Sequence, residues 1–533
     1  MKKHLLWALA LGICFNASAQ DRSAKKYAKQ ISAKYAKKHL SVLASDEYEG
    51  RETGKAGAEK AANYIAAEFK KLGLTAPVNG SYLQQVNLVQ GSVDAKNFTV
   101  NNLPLTYGKD YYFSGTPDSK TINATELVFI GYGIDSESYS DLKNTDISGK
   151  LVMVINNGEP TKNGISAITK TAQPSDWTTG RNKRMRYILG KNPLAILAVN
   201  PEVSGMLEKN GAMFTSSNGR LALKADKPSA AGKGAPVINI GTAAANQFLK
   251  GSGKTYEGLK DAIDNQSTPQ TQTLKTNVMA SFGPKNTDVN SSNVLGFIEG
   301  TDLKDEILVI SAHYDHVGLT TSGADKVNNG ADDDGSGTTG VMALARAYAK
   351  AKKAGKGPRR SILFLAVTGE EKGLLGSEWY SENPVFPLGN TVANLNIDMI
   401  GRIGTAYKGN IDSANYCYLI GSDKLSTDLH RISEEANAKY TKMKTDYKFN
   451  DPKDPERIYY RSDHYNFAKH GIPIIFYFNG VHEDYHKPSD EVSKINFPLL
   501  AKRAQLVYYT SWELANRDKR PVVDVKNDMP ASR

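Results

Sequence analysis

Cysteine is nearly absent from this chain: Cys14 and Cys417 are the two in 533 residues. Cys14 falls inside an amino-terminal leader, so one thiol remains and no internal disulfide can form. Stability must then come from packed cores. Long apolar runs are lacking too. Leu5–Phe15 is too short to span a bilayer, and no later segment reaches the roughly 18 apolar residues of a membrane helix. No membrane anchor is expected. Blocks of like charge are also missing. Lys and Arg outnumber Asp and Glu 67 to 56, for a net charge of +11. Yet Lys25, Lys26, Lys29, Lys34, Lys37 and Lys38 alternate with Ala, Ile and Tyr at helical spacing, as on a solvated helix face. No nucleic-acid partner is expected.

The leader itself is explicit. Lys2 and Lys3 precede the apolar run, and Ala17-Ser18-Ala19 supplies a small-residue cleavage site before Gln20. Ile13 stands before Cys14, where lipid attachment wants a small residue, so plain cleavage after Ala19 is expected. Export follows, to a periplasm or the extracellular space. The leader takes two lysines and no acid with it, so +11 becomes +9.

At this length two domains are expected. Residues 22–45 read as a helix or helix pair, with Tyr27, Ile31, Tyr35, Leu40 and Leu43 near the 3.6 period. A turn-rich stretch from Ser45 to Gly54 follows, then a helix carrying Ala58, Ala61, Ile65, Phe69 and Leu72 that stops at Gly73. Over 112–275, strand-like runs (Leu127–Ile130, Leu151–Ile155, Ala195–Val199, Val237–Ile240) alternate with polar stretches, and none ends in His or clustered carboxylates. That reads as an inserted β-rich domain without chemistry of its own. It separates 20–111 from 276–518, which together form the main domain, and 519–533 is a tail. Beyond about 290, the runs Ile307–Ile310, Ile362–Val367, Val392–Ile397 and Ile472–Phe478 are short and nearly continuously apolar, as in strands buried on both faces of a parallel sheet. Helical stretches such as Val341–Ala351 and Ile432–Tyr440 lie between them. The expected fold is α/β: a mostly parallel central sheet flanked by helices.

The chemistry sits at the ends of those strands. His313 and Asp315 follow the first, Glu370-Glu371 the second, Asp398 the third, and His486 lies on the loop after the fourth. An open parallel sheet binds ligands at its carboxyl edge, so these residues are expected to converge with Asp333, from the stretch Gly330-Ala331-Asp332-Asp333-Asp334-Gly335. Two histidines and several carboxylates suit a pair of divalent metals sharing one water, and such a site hydrolyses amide bonds. The glycines would let the backbone bring Asp333 close to the ions, although consecutive aspartates also suit a helix amino terminus. Adjacent Glu370 and Glu371 diverge, so one can bind metal while the other faces the reacting water. Asp315 is better placed to orient His313 than His316 is to ligate. Cys417 reads as a packed residue. His482-Glu483-Asp484-Tyr485-His486 matches the His-Glu-x-x-His zinc signature, which needs both histidines on one helix face. Gly480 and Pro488 flank it, so the match is set aside. Gly251-Ser252-Gly253-Lys254-Thr255 lacks the leading glycine of a phosphate loop, and Asp332-x-Asp334 lacks the closing acid of a calcium loop, since Ala343 stands there.

Several pieces together resemble the M28 family of co-catalytic zinc peptidases: Ser311-Ala312-His313-Tyr314-Asp315-His316, Gly330–Gly337, Thr368-Gly369-Glu370-Glu371, Asn396-Ile397-Asp398-Met399-Ile400-Gly401 and Tyr485-His486-Lys487-Pro488-Ser489-Asp490. Ser462-Asp463-His464 and Leu43-Ala44-Ser45-Asp46…Gly50-Arg51 are also similar to that family. Gly131-Tyr132-Gly133-Ile134 and Asp146-Ile147-Ser148-Gly149-Lys150 resemble the protease-associated (PA) domain that some members carry as an insertion. The resemblance implies a zinc-peptidase fold and two zinc ions per chain, bridged by Asp333. One would take His313 and Asp398, the other Glu371 and His486. It also implies Glu370 as general base, Asp315 orienting His313, and Tyr485 helping to hold the oxyanion. A peptide or protein substrate and aminopeptidase action follow by resemblance. A carboxypeptidase or dipeptidase on the same site, a one-metal acyltransferase of glutaminyl-cyclase type, and a non-catalytic binding protein are the alternatives. Residue preference, the insert's role and oligomeric state are not legible.

Overall fold

The computed structural model describes residues 21–180, 182–215, 221–224 and 234–529. The expected leader, 1–19, lies outside them. By internal packing the chain divides into one unit of Met1–Asn87 with Val289–Arg533 and a second of Leu88–Asp288. The inserted unit is therefore wider than the expected 112–275. The flanking segments alternate like any half-buried strand, but their partners lie within the insert: Leu88–Gln90 pairs with Leu221–Leu223, and Gln272–Phe282 with Lys120–Phe129.

In the first unit the elements used below are α1 (Ala33–Leu43), α2 (Ala56–Leu72), β1 (Gln272–Ile298, of which Val294–Ile298 pairs here), β2 (Leu303–His313), α3 (Gly337–Lys353), β3 (Arg360–Val367), α4 (Leu375–Glu382), β4 (Thr391–Ile397), β5 (Tyr416–Ile420), α5 (Thr427–Ala436), β6 (Lys444–Asp446), α6 (His464–Lys469), β7 (Ile474–Phe478) and α7 (Phe497–Asn516). The sheet runs β6-β5-β7-β4-β2-β3-β1. The pairs β7·β4, β4·β2 and β2·β3 are parallel, while β1 and β5 run antiparallel to their neighbours β3 and β7. Every residue of β3, β4 and β7 is buried, because helices cover both faces. Leu308, Ile310, Phe364 and Leu395 face α1, α2, α3 and α7 with Phe69, Leu344, Tyr348 and Val507. Val309, Leu363, Leu365 and Ile474 pack on the other side with Tyr380 and Phe467 of α4 and α6. The four parallel strands are the four apolar runs of the sequence, and their carboxyl ends share one edge.

The local signals act as their chemistry directs. Ser32 caps α1 through Tyr35 N–H, and α2 stops at Gly73 with φ +79°. Asn496 caps α7, with Pro498 in its first turn. The helical stretch Ile432–Tyr440 is shorter than expected: α5 ends at Ala436 and gives way to a wider turn over Asn437–Thr441, where Asn437 turns its side chain onto Met443.

The inserted unit has its own run of paired strands. Lys120–Phe129, Leu151–Ile155, Ala195–Val199 and Val237–Ile240 pair in parallel in that order, closed by Tyr111–Phe113 antiparallel at the end. Phe129, Met153, Leu197, Ile240 and Phe248 form one core layer, and Val128, Val152, Ile196 and Ile188 the other. Helices Lys183–Leu189, Thr242–Leu249 and Tyr256–Gln266 supply part of the covering. The glycine-rich stretch 251–255 belongs to a surface turn, and Thr255 caps the last of these helices. No helix among the described residues is long and apolar enough to cross a membrane.

Candidate metal centre

β2 delivers His313 as its last residue, with Asp315 and His316 directly beyond it, and the ends of β3, β4 and β7 lead into Glu370-Glu371, Asp398 and the turn of His486. The aspartate loop arrives between β2 and α3. At its start Gly330 has φ +55°, and an added Cβ would sit 2.3 Å from Asp333 O and 2.5 Å from the His316 ring. Only glycine fits there. The three aspartates then fan out. Asp332 Oδ1 accepts from Gly401 N–H at 2.6 Å and the Ser336 hydroxyl at 2.9 Å. Asp334 Oδ1 accepts from Gly337 N–H at 2.8 Å, the start of α3, and from Met399 N–H at 2.9 Å. Asp334 thus takes the helix-cap role and leaves Asp333 for the centre.

Two donor groups share Asp333: His313, Asp333 and Asp398 form one, and His316, Asp333, Glu371 and His486 the other, with the donor atoms of each group within 4.8 Å of one another. His313 Nε2 lies 3.4 Å from Asp333 Oδ1 and 3.6 Å from Asp398 Oδ1. His486 Nε2 lies 3.0 Å from Asp333 Oδ2 and 3.1 Å from Glu371 Oε2. All five residues expected to ligate are therefore brought together. Sequence reasoning left out His316. Its Nδ1 is 2.9 Å from Glu371 Oε1 and 3.7 Å from Asp333 Oδ2, which places it in the second group. Its position beside the His-x-Asp was the available signal; the direction of its ring was not.

Glu370 belongs to neither group. Its Oε2 lies 3.9 Å from His313 Nε2, and it lines a narrow recess together with Asp333, Asp398, Phe476 and Tyr485. Its position is fixed through Asp315. The Asp315 carboxylate accepts from Glu370 N–H at 3.2 Å and from the Thr53 hydroxyl at 2.7 Å. His313 Nδ1 meets the main-chain oxygen of Asp315 at 3.1 Å, with the carboxylate at 3.7 Å. Asp315 orients the ring chiefly through its carbonyl, and its side chain holds the Glu370 turn.

Burial dominates the electrostatics. It pushes the Glu370 carboxyl well above the usual range, and the charges of Glu371 and Asp398 add to that rise. Tyr485 is pushed far above the ordinary phenol by burial and then by Asp333, Glu371 and Glu370, so its hydroxyl stays protonated. That hydroxyl accepts from Arg461 at 3.2 Å, and the ring stacks on His486 at 3.8 Å. Tyr485 also lines an adjoining open cavity of about 360 Å³ with Leu374, Tyr460 and Arg461. Cys417 is buried in β5, and burial pushes its thiol up to about 11. In the His-Glu-x-x-His segment only His486 faces the donors; His482 Nε2 points to Asp332 Oδ2 at 3.1 Å.

The donor set fits a pair of divalent ions of the zinc type. Asp333 Oδ2 is buried and accepts no hydrogen bond, although two imidazoles and a second carboxylate converge on it. Mixed imidazole and carboxylate donors around a shared carboxylate suit zinc.

A mixed α/β sheet thus gathers, at its carboxyl edge, two groups of residues that could each hold a metal ion around one shared carboxylate. Residues 293–511 match the model of Peptidase family M28. A probable zinc metalloprotease of Pyrenophora tritici-repentis is 27% identical over 269 residues, 44% of this chain and 53% of that protein. Aminopeptidase YwaD of Bacillus subtilis is 25% identical over 261 residues, 46% of this chain and 49% of that protein. The chain spans about half the length of these curated relatives. Among solved structures, an aminopeptidase from Aneurinibacillus sp. strain AM-1 aligns at 17% identity and a TM-score of 0.49, covering 96% of this chain and 100% of that one.

Proposed function

We propose that this chain is an exported two-zinc metallopeptidase that hydrolyses peptide bonds, acting as an aminopeptidase on peptide or protein amino termini. The observation that carries the reading is the place of Glu370: a buried carboxylate outside both donor groups, in the wall of the recess that Asp333 and Asp398 also line. Asp333 would bridge the ions, with His313 and Asp398 on one and Glu371, His486 and His316 on the other. Bound zinc supplies Lewis acidity and draws the pKa of water towards neutrality. Glu370 takes a proton from the attacking water and passes it to the leaving amine. The Thr53–Asp315 pair holds the Glu370 turn in register for both transfers. The protonated Tyr485 hydroxyl donates to the oxygen on which negative charge develops. Two relatives named as a zinc metalloprotease and an aminopeptidase support the class of reaction. The insert, whose motifs resemble a protease-associated domain, would select or present substrate rather than react with it.

Metal analysis combined with a substrate panel tests this. Glu370→Gln should keep its zinc and lose about 10²–10⁴-fold in turnover. Undiminished turnover in the metal-replete variant overturns the assignment. Aminoacyl anilides should be cleaved, and amino-blocked peptides should not. Release from the carboxyl end instead would make the enzyme a carboxypeptidase, and a purified chain with neither metal nor activity would make it a binding protein.

A further inference from the structure

We infer that Asp332, held by His482, is a positioning residue that sets the spacing between the metal-bearing segments. This rests on the two-metal reading above. Neither residue belongs to a donor group, and both are buried, at 0% and 3% exposure. The Asp332 carboxylate nevertheless joins three separate stretches of chain. Oδ1 takes the Gly401 N–H at 2.6 Å, three residues beyond Asp398. Oδ2 makes a close polar contact, 3.1 Å from Nε2 of His482, four residues before His486, although the two atoms are not aligned for a hydrogen bond. Its own backbone carries directly into Asp333. The Asp332 N–H and the Asp333 N–H both donate to Asp490 Oδ2, at 2.9 and 3.1 Å.

The tautomer of His482 follows from its other nitrogen. Nδ1 accepts from Asp484 N–H at 3.3 Å, which leaves the ring proton on Nε2, facing Asp332. One carboxylate therefore ties the segments bearing Asp333, Asp398 and His486, and these supply donors to both groups. The sequence match of His482-Glu483 to a zinc signature thus has a different content: the first histidine binds the back of the aspartate loop while the fourth residue after it faces the front. Groups that orient metal donors in this way change metal affinity by about 10–100-fold when removed.

The test titrates metal-free wild type, His482→Gln and His482→Leu with Co²⁺, followed by absorbance, and with Zn²⁺ against a chromophoric chelator, with circular dichroism confirming the fold. Glutamine carries an amide N–H where the imidazole has Nε2–H. It should stay within about 3-fold of wild type, whereas leucine should bind about 10–100-fold more weakly and shift the cobalt bands. Should His482→Leu not fold, His482→Asn, which stays polar but ends short of Asp332, carries the same expectation. Wild-type affinity and spectrum in the leucine or asparagine variant overturn the inference. So does a glutamine variant as weak as the leucine one. A wild-type chain that takes up no metal overturns the two-metal reading itself, and this inference with it.

Discussion

Arg51 offers the strongest test of how the centre is held. The residue is 1% exposed, and its guanidinium donates to four main-chain carbonyls: Tyr314 at 2.7 Å, Leu43 at 2.7 Å, Asn329 at 2.7 Å and Gly330 at 2.9 Å. Burial disfavours its charge, and the carboxylates of Asp333, Asp334, Asp490 and Asp315 offset that. Arg51→Met keeps most of the apolar stem and removes every donor. A hydrogen bond from a charged group nets about 1.5–3 kcal/mol, so four bound the loss at about 12 kcal/mol. Release of a buried charge returns several of these, and removing one side of such a cluster commonly leaves a deficit of about 3–5 kcal/mol. At about 2–4 °C per kcal/mol, the metal-free protein should melt on the order of 10 °C lower. Arg51→Lys keeps the charge but not the planar fork, and should fall between the two. Scanning calorimetry on chelator-treated wild type and variants reads the shift. A loss below about 1 kcal/mol in Arg51→Met would refute the idea that these bonds hold the loops.

Tyr485→Phe removes one donor to the developing oxyanion; kcat should fall about 10²-fold or more with little change in KM, and an unchanged kcat in steady-state kinetics would remove Tyr485 from the chemistry. Gly50 has φ +63°, and an added Cβ would lie 2.4 Å from Asn328 O; Gly50→Ala should destabilise by more than about 1 kcal/mol in urea titration, and a neutral result would mean that the turn can shift. Burial pushes His39 down to about 4, against the opposing charge of Glu68. The unfolded chain therefore binds the proton more readily. The stability from neutral His39 is complete above about pH 6.5 and is lost as pH falls from there towards 4, by at most about 1.4 kcal/mol per pH unit. His39→Gln should flatten the stability curve across that window, and curves parallel to wild type would contradict it.

The parallel core could be read from the sequence because strands buried on both faces must be mostly apolar: Ile362–Val367 has no polar alternation, and in Val392–Ile397 the two polar residues, Asn394 and Asn396, are buried and bonded to Ser311 and Ser462. Candidate ligands at strand ends were legible for the same reason: His313 ends the run from Ile307, Asp398 follows Ile397 directly, and Glu371 comes four residues beyond Val367. The insert's limits were not, because Leu83–Val100 and Gln272–Ile298 alternate identically whichever unit their partners belong to. His316 escaped because a residue beside a ligand reveals nothing of its ring direction. Arg51 was visible only as part of a family-like motif. Its bonds reach carbonyls up to 279 residues away, and no local pattern records them.

The position of the insert has a consequence for biosynthesis. A ribosome releases Arg51 and the two amino-terminal helices long before the carbonyls they must bind, since Tyr314 follows Arg51 by 263 residues. The intervening 88–288 unit, with its own two-layered core, can fold first during vectorial synthesis. It would then bring Asn87 and Val289 together and shorten the loop that the first unit has to close. The early helices wait, with Leu40, Leu43, Ile65 and Phe69 exposed, until β2 and α3 emerge to cover them. A chain halted before Gly330 would therefore hold a finished insert and an unfinished metal site.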